Sequence, residues 1–429
     1  MALADVDMEG QSPMPTGLSE VDRVLAGGLL PGSATLVGGE PGTGKSTLLL
    51  QVVASMAGQG RRCLLVAAEE AAHQVRRRAM RLGADVPGVF VVETTHIPAI
   101  EAAVAELHPD VIVVDSIQAV SDPDLGSPAG SLAQVRECAH LLVALAKGAG
   151  SALLLVGHVT KEGVLAGPRA LEHLVDTVLS FEGDRYLSLR SLRAVKHRFG
   201  PTGETGLFEM GEAGLAGVPD PSSLFLGDRL AGSEGSAVAV PLEGYRPLLV
   251  EVQALVGRQS QIPRRFVTGL DPGRVGFLVA VLDRRAGVLL GDRDIYVSVA
   301  GGARAVEPAA DLAVCLALTS SLTAAPVRAD MVAVGEVGLG GEVRRVSGMP
   351  KRLAEARRLG FGHALVPACA GPPRGPSSDH STSSEGAPAG GARFSQLRVS
   401  TLSEALAVAF EAKPSPARSR FANVGPERR

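Results

Sequence analysis

Tryptophan is absent from this chain, tyrosine occurs three times, and aromatic residues make up 3% of the 429 positions, against 52 glycines. Its cores must therefore be built from small aliphatic side chains, and the composition argues against extensive stacking of nucleobases on aromatic platforms. Cysteine is scarce as well. Cys63, Cys138, Cys315 and Cys369 include no Cys-x-x-Cys pair, so neither a disulfide framework nor a zinc knuckle is supported and a reduced compartment fits best. An excess of positive charge is also lacking: 42 basic against 45 acidic residues leave a formal charge of -3, which gives no global attraction to nucleic acid but leaves room for a local basic surface. Long apolar runs are missing, and the N-terminal MALADVDMEG has no basic segment feeding an apolar stretch. Membrane spanning and export are not expected, and a cytoplasmic protein is.

What is present is a complete phosphate-binding signature, GGEPGTGKST, at residues 38–47. It follows an apolar segment read as a strand, 34–38, and precedes a helical pattern from Ser46 to Met56, the strand, loop and helix setting such a site requires. A glycine-rich loop leaves backbone N–H groups free to surround phosphate oxygens, so Gly39, Glu40, Pro41, Gly42, Thr43, Gly44, Lys45, Ser46 and Thr47 are expected to hold ATP. Lys45 would reach the β- and γ-phosphates and the Ser46 hydroxyl would take Mg²⁺. Asp115 ends the apolar VIVVDS stretch, 111–116, where a carboxylate suits a magnesium-bound water; a helix cap is the plainer alternative. Glu69 and Glu70 end another apolar strand, 63–70, and either one would suit orientation of the attacking water. His158, after SALLLVG, reads as a γ-phosphate sensor or a link from nucleotide state to the following loop, with a structural histidine as the plainer alternative, and Lys196 and Arg198 in KHRFG point the same way in an extended chain, as a neighbour's charge sensor or as a solvated edge.

Apolar strands alternating with amphipathic helices (97–107 and 132–142 among them) indicate a parallel sheet covered on both faces. Segments 177–183 and 186–200 read as an antiparallel pair extending it. A turn-rich stretch, 219–236, is expected to be a linker, giving a short lead-in at 1–15, a first domain over 16–218 and a second α/β domain over 237–410. In the second domain, strands are expected at 237–241, 248–256, 277–283 and 294–299, and helices from near Ala309, from Pro350 to Leu359, and over 402–410 behind a Thr401/Glu404 capping box. Two segments, 367–392 and 411–429, have disordered composition.

With these motifs in place, the chain resembles the bacterial RadA (Sms) DNA repair and recombination family from about Thr16 to Phe410. The likeness rests on TGLSEVDRVLAGGLLPGS (16–33), the phosphate loop, VIVVDSIQ, HVTKEG (158–163), GPRALEHLVDTVLSFEGD (167–184) and KHRFG, which stands where the family has Lys-Asn-Arg-Phe-Gly. The resemblance implies a RecA-like P-loop ATPase core followed by a domain similar to the Lon protease domain. It selects Glu69 as the water-activating glutamate and gives Lys196 and Arg198 the role of reading ATP and coupling it to DNA in a ring. It further implies a homo-hexameric, DNA-dependent ATPase and helicase working on single-stranded and branched DNA, promoting branch migration in recombinational repair beside a RecA-type recombinase filament.

Two departures follow from the same resemblance. The family's N-terminal four-cysteine zinc module has no counterpart here, since LADVD (3–7) is similar to sequence just downstream of it, so no zinc site is expected. In the Lon-like domain, Ala309 in EPAAD stands where Lon has its nucleophilic serine, and Arg352 where Lon has its lysine, which implies a domain without protease chemistry. Arg304, Arg344, Arg345, Lys351 and Arg352 are candidates for a positive surface facing DNA phosphates. The competing expectation is a nucleotide-switched DNA-binding or signalling ATPase without motor activity.

Overall fold

The computed structural model describes residues 12–158, 171–183, 188–368 and 394–410. The chain divides into two compact units, Met1–Pro219 and Asp220–Arg429. Of the segment 367–392, the residues beyond Ala368 fall outside the described ones, as do the tail 411–429 and most of HVTKEG.

The first unit is built on nine strands: β1 (Ala34–Gly39), β2 (Cys63–Ala67), β3 (Val89–Glu93), β4 (Val111–Asp115), β5 (Ala152–His158), β6 (Thr177–Gly183), β7 (Leu189–His197), β8 (Thr205–Gly211) and β9 (Gly214–Gly217). Their order across the sheet is β3-β2-β4-β5-β1-β6-β7-β8-β9, with parallel pairing from β3 to β6 and antiparallel pairing from β6 to β9. Successive side chains of a strand face opposite ways, and this sheet buries both faces. In β4, Val111 and Val113 join one core with Leu49, Val52, Val53 and Met56 of helix α2 (Lys45–Gly58), while Ile112 and Val114 join another. That second core contains Ile100 and Val104 of α4 (Ile97–Leu107) and Val135, Ala139 and Leu142 of α5 (Leu132–Ala149). Two shorter helices, α1 (Ser19–Val24) and α3 (Ala72–Arg81), also belong to the unit.

The second unit carries a seven-stranded sheet of mixed direction. The strands β10 (Ser236–Ala239), β13 (Val250–Gln259), β14 (Arg265–Thr268), β15 (Arg293–Val299), β16 (Met331–Ala333), β19 (His363–Pro367) and β20 (Ser395–Val399) lie in the order β14-β15-β13-β10-β16-β19-β20. Two small hairpins, β11 (Leu242–Glu243) with β12 (Arg246–Pro247) and β17 (Glu336–Val337) with β18 (Val343–Arg344), stand apart from it. Helix Asp311–Thr323 is buried from Asp311 to Ser320 on every side, which explains why its sequence is apolar all round. Helix Met349–Arg358 begins with Pro350 in its first turn, and Thr401 caps helix Leu402–Ala409 by accepting the Glu404 N–H at 3.3 Å.

Two expectations are corrected here. The apolar run at 277–283 is helical: helix Pro272–Val281 passes into a wider turn over Leu282–Ala286. Asp271 caps it by accepting the Arg274 N–H at 2.6 Å, Pro272 fixes the first turn, and Val275, Leu278, Val279 and Leu282 recur on one buried face. The segment 219–236 is not a bare linker. It contains helix Pro221–Leu226, whose buried Ser222 hydroxyl accepts the Leu249 N–H at 3.0 Å and donates to Glu355 at 3.2 Å, so this segment belongs to the second unit.

Candidate nucleotide site

β1 delivers the phosphate loop to the carboxyl edge of the parallel strands, and α2 starts immediately afterwards at Lys45. The backbone path needs glycine at two points for different reasons. A Cβ on Gly39 would lie 2.2 Å from the Phe181 carbonyl oxygen, and Gly44 precedes the helix at φ 106°. Thr43 closes the turn by donating its hydroxyl to the Glu40 carbonyl at 2.9 Å. Lys45 is buried, and its ammonium donates to the carbonyls of Gly39 at 2.8 Å and Glu40 at 2.9 Å. Burial pushes the Lys45 pKa down, while the negative charges of Asp115 and Glu69 oppose that shift.

Ser46, Glu69, Glu70 and Asp115 line one pocket, together with Arg78 from α3 and an apolar floor that includes Leu49, Leu65 and Ala67. β2 and β4 are neighbours with Ala67 in register with Asp115, which explains why carboxylates far apart in sequence meet at one edge. The Ala68 N–H donates to the Asp115 carbonyl at 3.0 Å, and the Asp115–Ser116 peptide is cis. The two glutamates differ in their surroundings. Glu70 forms an ion pair with Arg78, while Glu69 accepts a hydrogen bond from the buried Ser116 hydroxyl. The glycine cradle, the cationic Lys45, and the Ser46 hydroxyl with the Asp115 carboxylate in one pocket fit a magnesium nucleotide.

Lys196 and Arg198 are away from this pocket and hold the segment that enters β6. The Lys196 ammonium donates to the carbonyls of Glu172 and of Val175, the latter at 2.8 Å; Arg198 pairs with Asp176 at 3.0 Å. Asp176 also accepts the Ala34 N–H at the start of β1 at 3.0 Å, so these cations are tied to the strand that carries the loop. The intervening His197 contacts the Thr177 hydroxyl at 2.9 Å through Nδ1, and burial lowers its pKa. His158 ends β5 beside Gly39.

Two residues that sequence reasoning passed over belong to the site. Ser116 is one. The other is Arg190 of β7, whose Nε donates to the Thr43 carbonyl at 3.1 Å and so holds the phosphate loop from the antiparallel edge. The only sequence signal for Arg190 is the recurrence of basic residues along YLSLRSLRAVKHRFG.

In the second unit, Ala309 and Arg352 are both fully buried. Arg352 is bound bidentately by the Glu307 carboxylate, with Nη2 donating at 2.9 Å; it also donates to the Val240 carbonyl and, at 2.9 Å, to that of Ser347. This overturns its expected place on a DNA-facing surface. Arg304 and Arg345 are exposed, Arg344 is exposed but paired with Glu342, and the Lys351 ammonium lies 5.0 Å from the Tyr245 ring centroid.

A RecA-like sheet bearing a complete phosphate loop, followed by an α/β domain of the Lon type, defines a P-loop ATPase with an appended Lon-like domain. The comparisons agree: residues 5–164 match the AAA domain family and 286–371 the C-terminal proteolytic domain of Lon protease (S16). The chain is 48% identical over 367 residues to the DNA repair protein RadA of Bacillus subtilis, covering 85% of this chain and 80% of that one. It is 47% identical over 385 residues to RadA of Synechocystis (86% and 76% covered) and 46% identical over 368 residues to RadA of Mycobacterium tuberculosis (85% and 77%). Among solved structures, the KaiC-like protein PH0186 of Pyrococcus horikoshii is 20% identical, with a TM-score of 0.42 over 48% of this chain and 99% of that one. The chain belongs to the RadA family of DNA repair proteins.

Proposed function

We propose that this protein is a DNA-dependent ATPase of recombinational DNA repair, a homo-hexamer that moves on single-stranded or branched DNA and promotes branch migration of intermediates made by a RecA-type recombinase. The observation that carries the reading is the meeting of Lys45, Ser46, Glu69 and Asp115 at one sheet edge, in a chain at least 46% identical to three RadA proteins. Bound Mg²⁺ supplies charge neutralisation for the phosphates, with Ser46 and Asp115 as its protein-side holders. In this reading the loop N–H groups and Lys45 fix the triphosphate, and Glu69, which accepts a hydrogen bond from Ser116, orients a water and accepts its proton. Lys196 and Arg198 hold the 172–176 segment at the root of β6 and β1, which supports a role in passing nucleotide state between that segment and a neighbouring subunit.

Proteolysis is not among the proposed activities. The position that resembles Lon's serine holds a methyl group, and the position that resembles its lysine holds a guanidinium engaged by the Glu307 carboxylate. The test is ATP turnover with and without single-stranded DNA at low salt, where phosphate contacts are strongest. DNA should raise the rate, and Lys45→Ala should abolish it. A basal rate that DNA leaves untouched would count against a DNA-dependent motor and favour a nucleotide switch.

A further inference from the structure

Two glutamines of the first unit show the usual state of an amide shielded from water. Gln51 donates to the Leu215 carbonyl at 3.0 Å and accepts the Leu215 N–H at 2.9 Å. Gln134 of α5 accepts the Asp122 N–H at 3.0 Å and donates to the carbonyls of Asp122, Leu125 and Ser127 at 3.1, 3.3 and 3.0 Å, which ties down the segment leading from β4 to α5. Gln118 differs. Its Nε2 and Oε1 are both buried without a hydrogen-bond partner, the only side-chain amide so placed among the described residues. Leaving a buried donor and acceptor unpaired costs more than an ordinary hydrogen bond contributes, so such a group calls for an explanation.

Its place in the fold supplies one. Gln118 is the middle residue of the short turn Ile117–Ala119, directly after Asp115 and Ser116. The turn is pinned on both sides: Ile117 and Val120 are fully buried, the Ala119 N–H donates to the Ser116 carbonyl at 3.2 Å, and the Ser121 N–H donates to the Thr95 carbonyl at 2.7 Å. The ladder between β4 and β5 ends at Val114 and Leu155, whereas that between β5 and β1 runs on to His158 and Gly39. Where β4 leaves the sheet, the turn packs on β5, and Nε2 of Gln118 lies 3.8 Å from the position that a Cβ on Gly157 would take. The amide therefore lies against the main chain at the carboxyl end of β5, one residue before His158, which pairs with Gly39 at the start of the phosphate loop. One rigid turn thus joins Ser116, the hydrogen-bond donor to Glu69, to an unpaired amide beside the strand that flanks the loop.

We propose that Gln118 is a positioning residue that reports nucleotide occupancy: with magnesium nucleotide in the phosphate loop, the end of β5 gives its amide main-chain partners, and the turn passes that state to the 121–131 segment. The inference rests on the reading of the loop as an ATP site, but it names a residue that the reading does not require. A side chain that gains its partners only in the occupied state must, by linkage, strengthen nucleotide binding. The full chain is compared with Gln118→Met and Gln118→Asn by calorimetry with and without magnesium and a non-hydrolysable ATP analogue, by titration with a fluorescent form of that analogue, and by hydrogen exchange. Methionine has the length of glutamine and no amide, so without nucleotide it should raise the melting midpoint of the first unit by roughly 2 to 12 °C, and most of that gain should vanish at saturating analogue. Asparagine is one methylene shorter, keeps a buried amide and should give no such gain. Both variants should bind the analogue roughly five-fold more weakly than wild type, and both should lose the exchange protection that the analogue confers on 121–131 in wild type. A purely structural role would shift the melting curves equally in both states and leave affinity and protection as in wild type, which would overturn the proposal while the ATP reading stands. If wild type does not bind the analogue, the ATP reading falls and the proposal with it.

Discussion

Arg352→Ala should cost the second unit much of its stability. The side chain is fully buried and satisfies both oxygens of Glu307 together with the carbonyls of Val240 and Ser347. Truncation removes that donor set at once and leaves a carboxylate that is only 27% exposed without its counter-charge, with the Leu242 N–H still donating to Oε1. Breaking a buried pair from one side typically costs about 3 to 5 kcal/mol, a large share of the roughly 5 to 15 kcal/mol that holds a domain together. For a unit of this size the loss corresponds to a fall of roughly 6 to 20 °C in midpoint. Differential scanning calorimetry of the full chain reads it as a downward shift of one transition, with the ATPase-unit transition, assigned by its response to magnesium nucleotide, in place. Replacing Glu307 and Arg352 together by methionine should recover most of the loss, because removing both charges strands neither. A shift below about 2 °C for Arg352→Ala, or a double variant no better than the single one, would refute the claim that this arginine is a structural centre.

Three further outcomes follow from the same geometry. Glu69→Gln should lower ATP turnover by about 10² to 10⁴-fold while nucleotide binding, followed with a fluorescent analogue, persists; Glu70→Gln, which disturbs an ion pair with Arg78, should leave the rate within a few-fold. Ser116→Ala should reduce kcat roughly ten-fold with little change in KM, since it loosens the orientation of Glu69 rather than the phosphate cradle, and Ser116→Thr should restore part of it. Burial pushes the Cys63 thiol up to about 12 and the Cys138 thiol up to about 11, so both are protonated at pH 8; iodoacetamide should label neither in the native protein, and both should react in urea.

The legible parts of the sequence were those where local pattern and tertiary role coincide. GGEPGTGKST lies between a strand and a helix, and VIVVD, buried on both faces, had to be an interior parallel strand ending in a carboxylate. The run at 277–283 misled because a short apolar stretch has no period of its own, and the information that it is helical sits upstream in Asp271 and Pro272. Short strands such as Met331–Ala333 and Ser395–Val399 exist by virtue of their distant neighbours, so nothing local announced them. Ser116 and Arg190 were missed for a related reason: their partners, Glu69 and Thr43, are many residues away and meet them only through sheet order. Arg352 was misplaced because an arginine two residues after a proline at a helix start looks solvated, and only the fold shows it facing Glu307.

The central claim is that ATP hydrolysis at the Lys45, Glu69 and Asp115 site moves DNA. The most direct test is branch migration of a synthetic three-strand intermediate by the full chain, with ATP compared against a non-hydrolysable analogue. The account predicts strand displacement with ATP, none with the analogue although the DNA stays bound, and none for Lys45→Ala. Equal displacement with the analogue, or none with ATP under conditions where DNA stimulates hydrolysis, would contradict it.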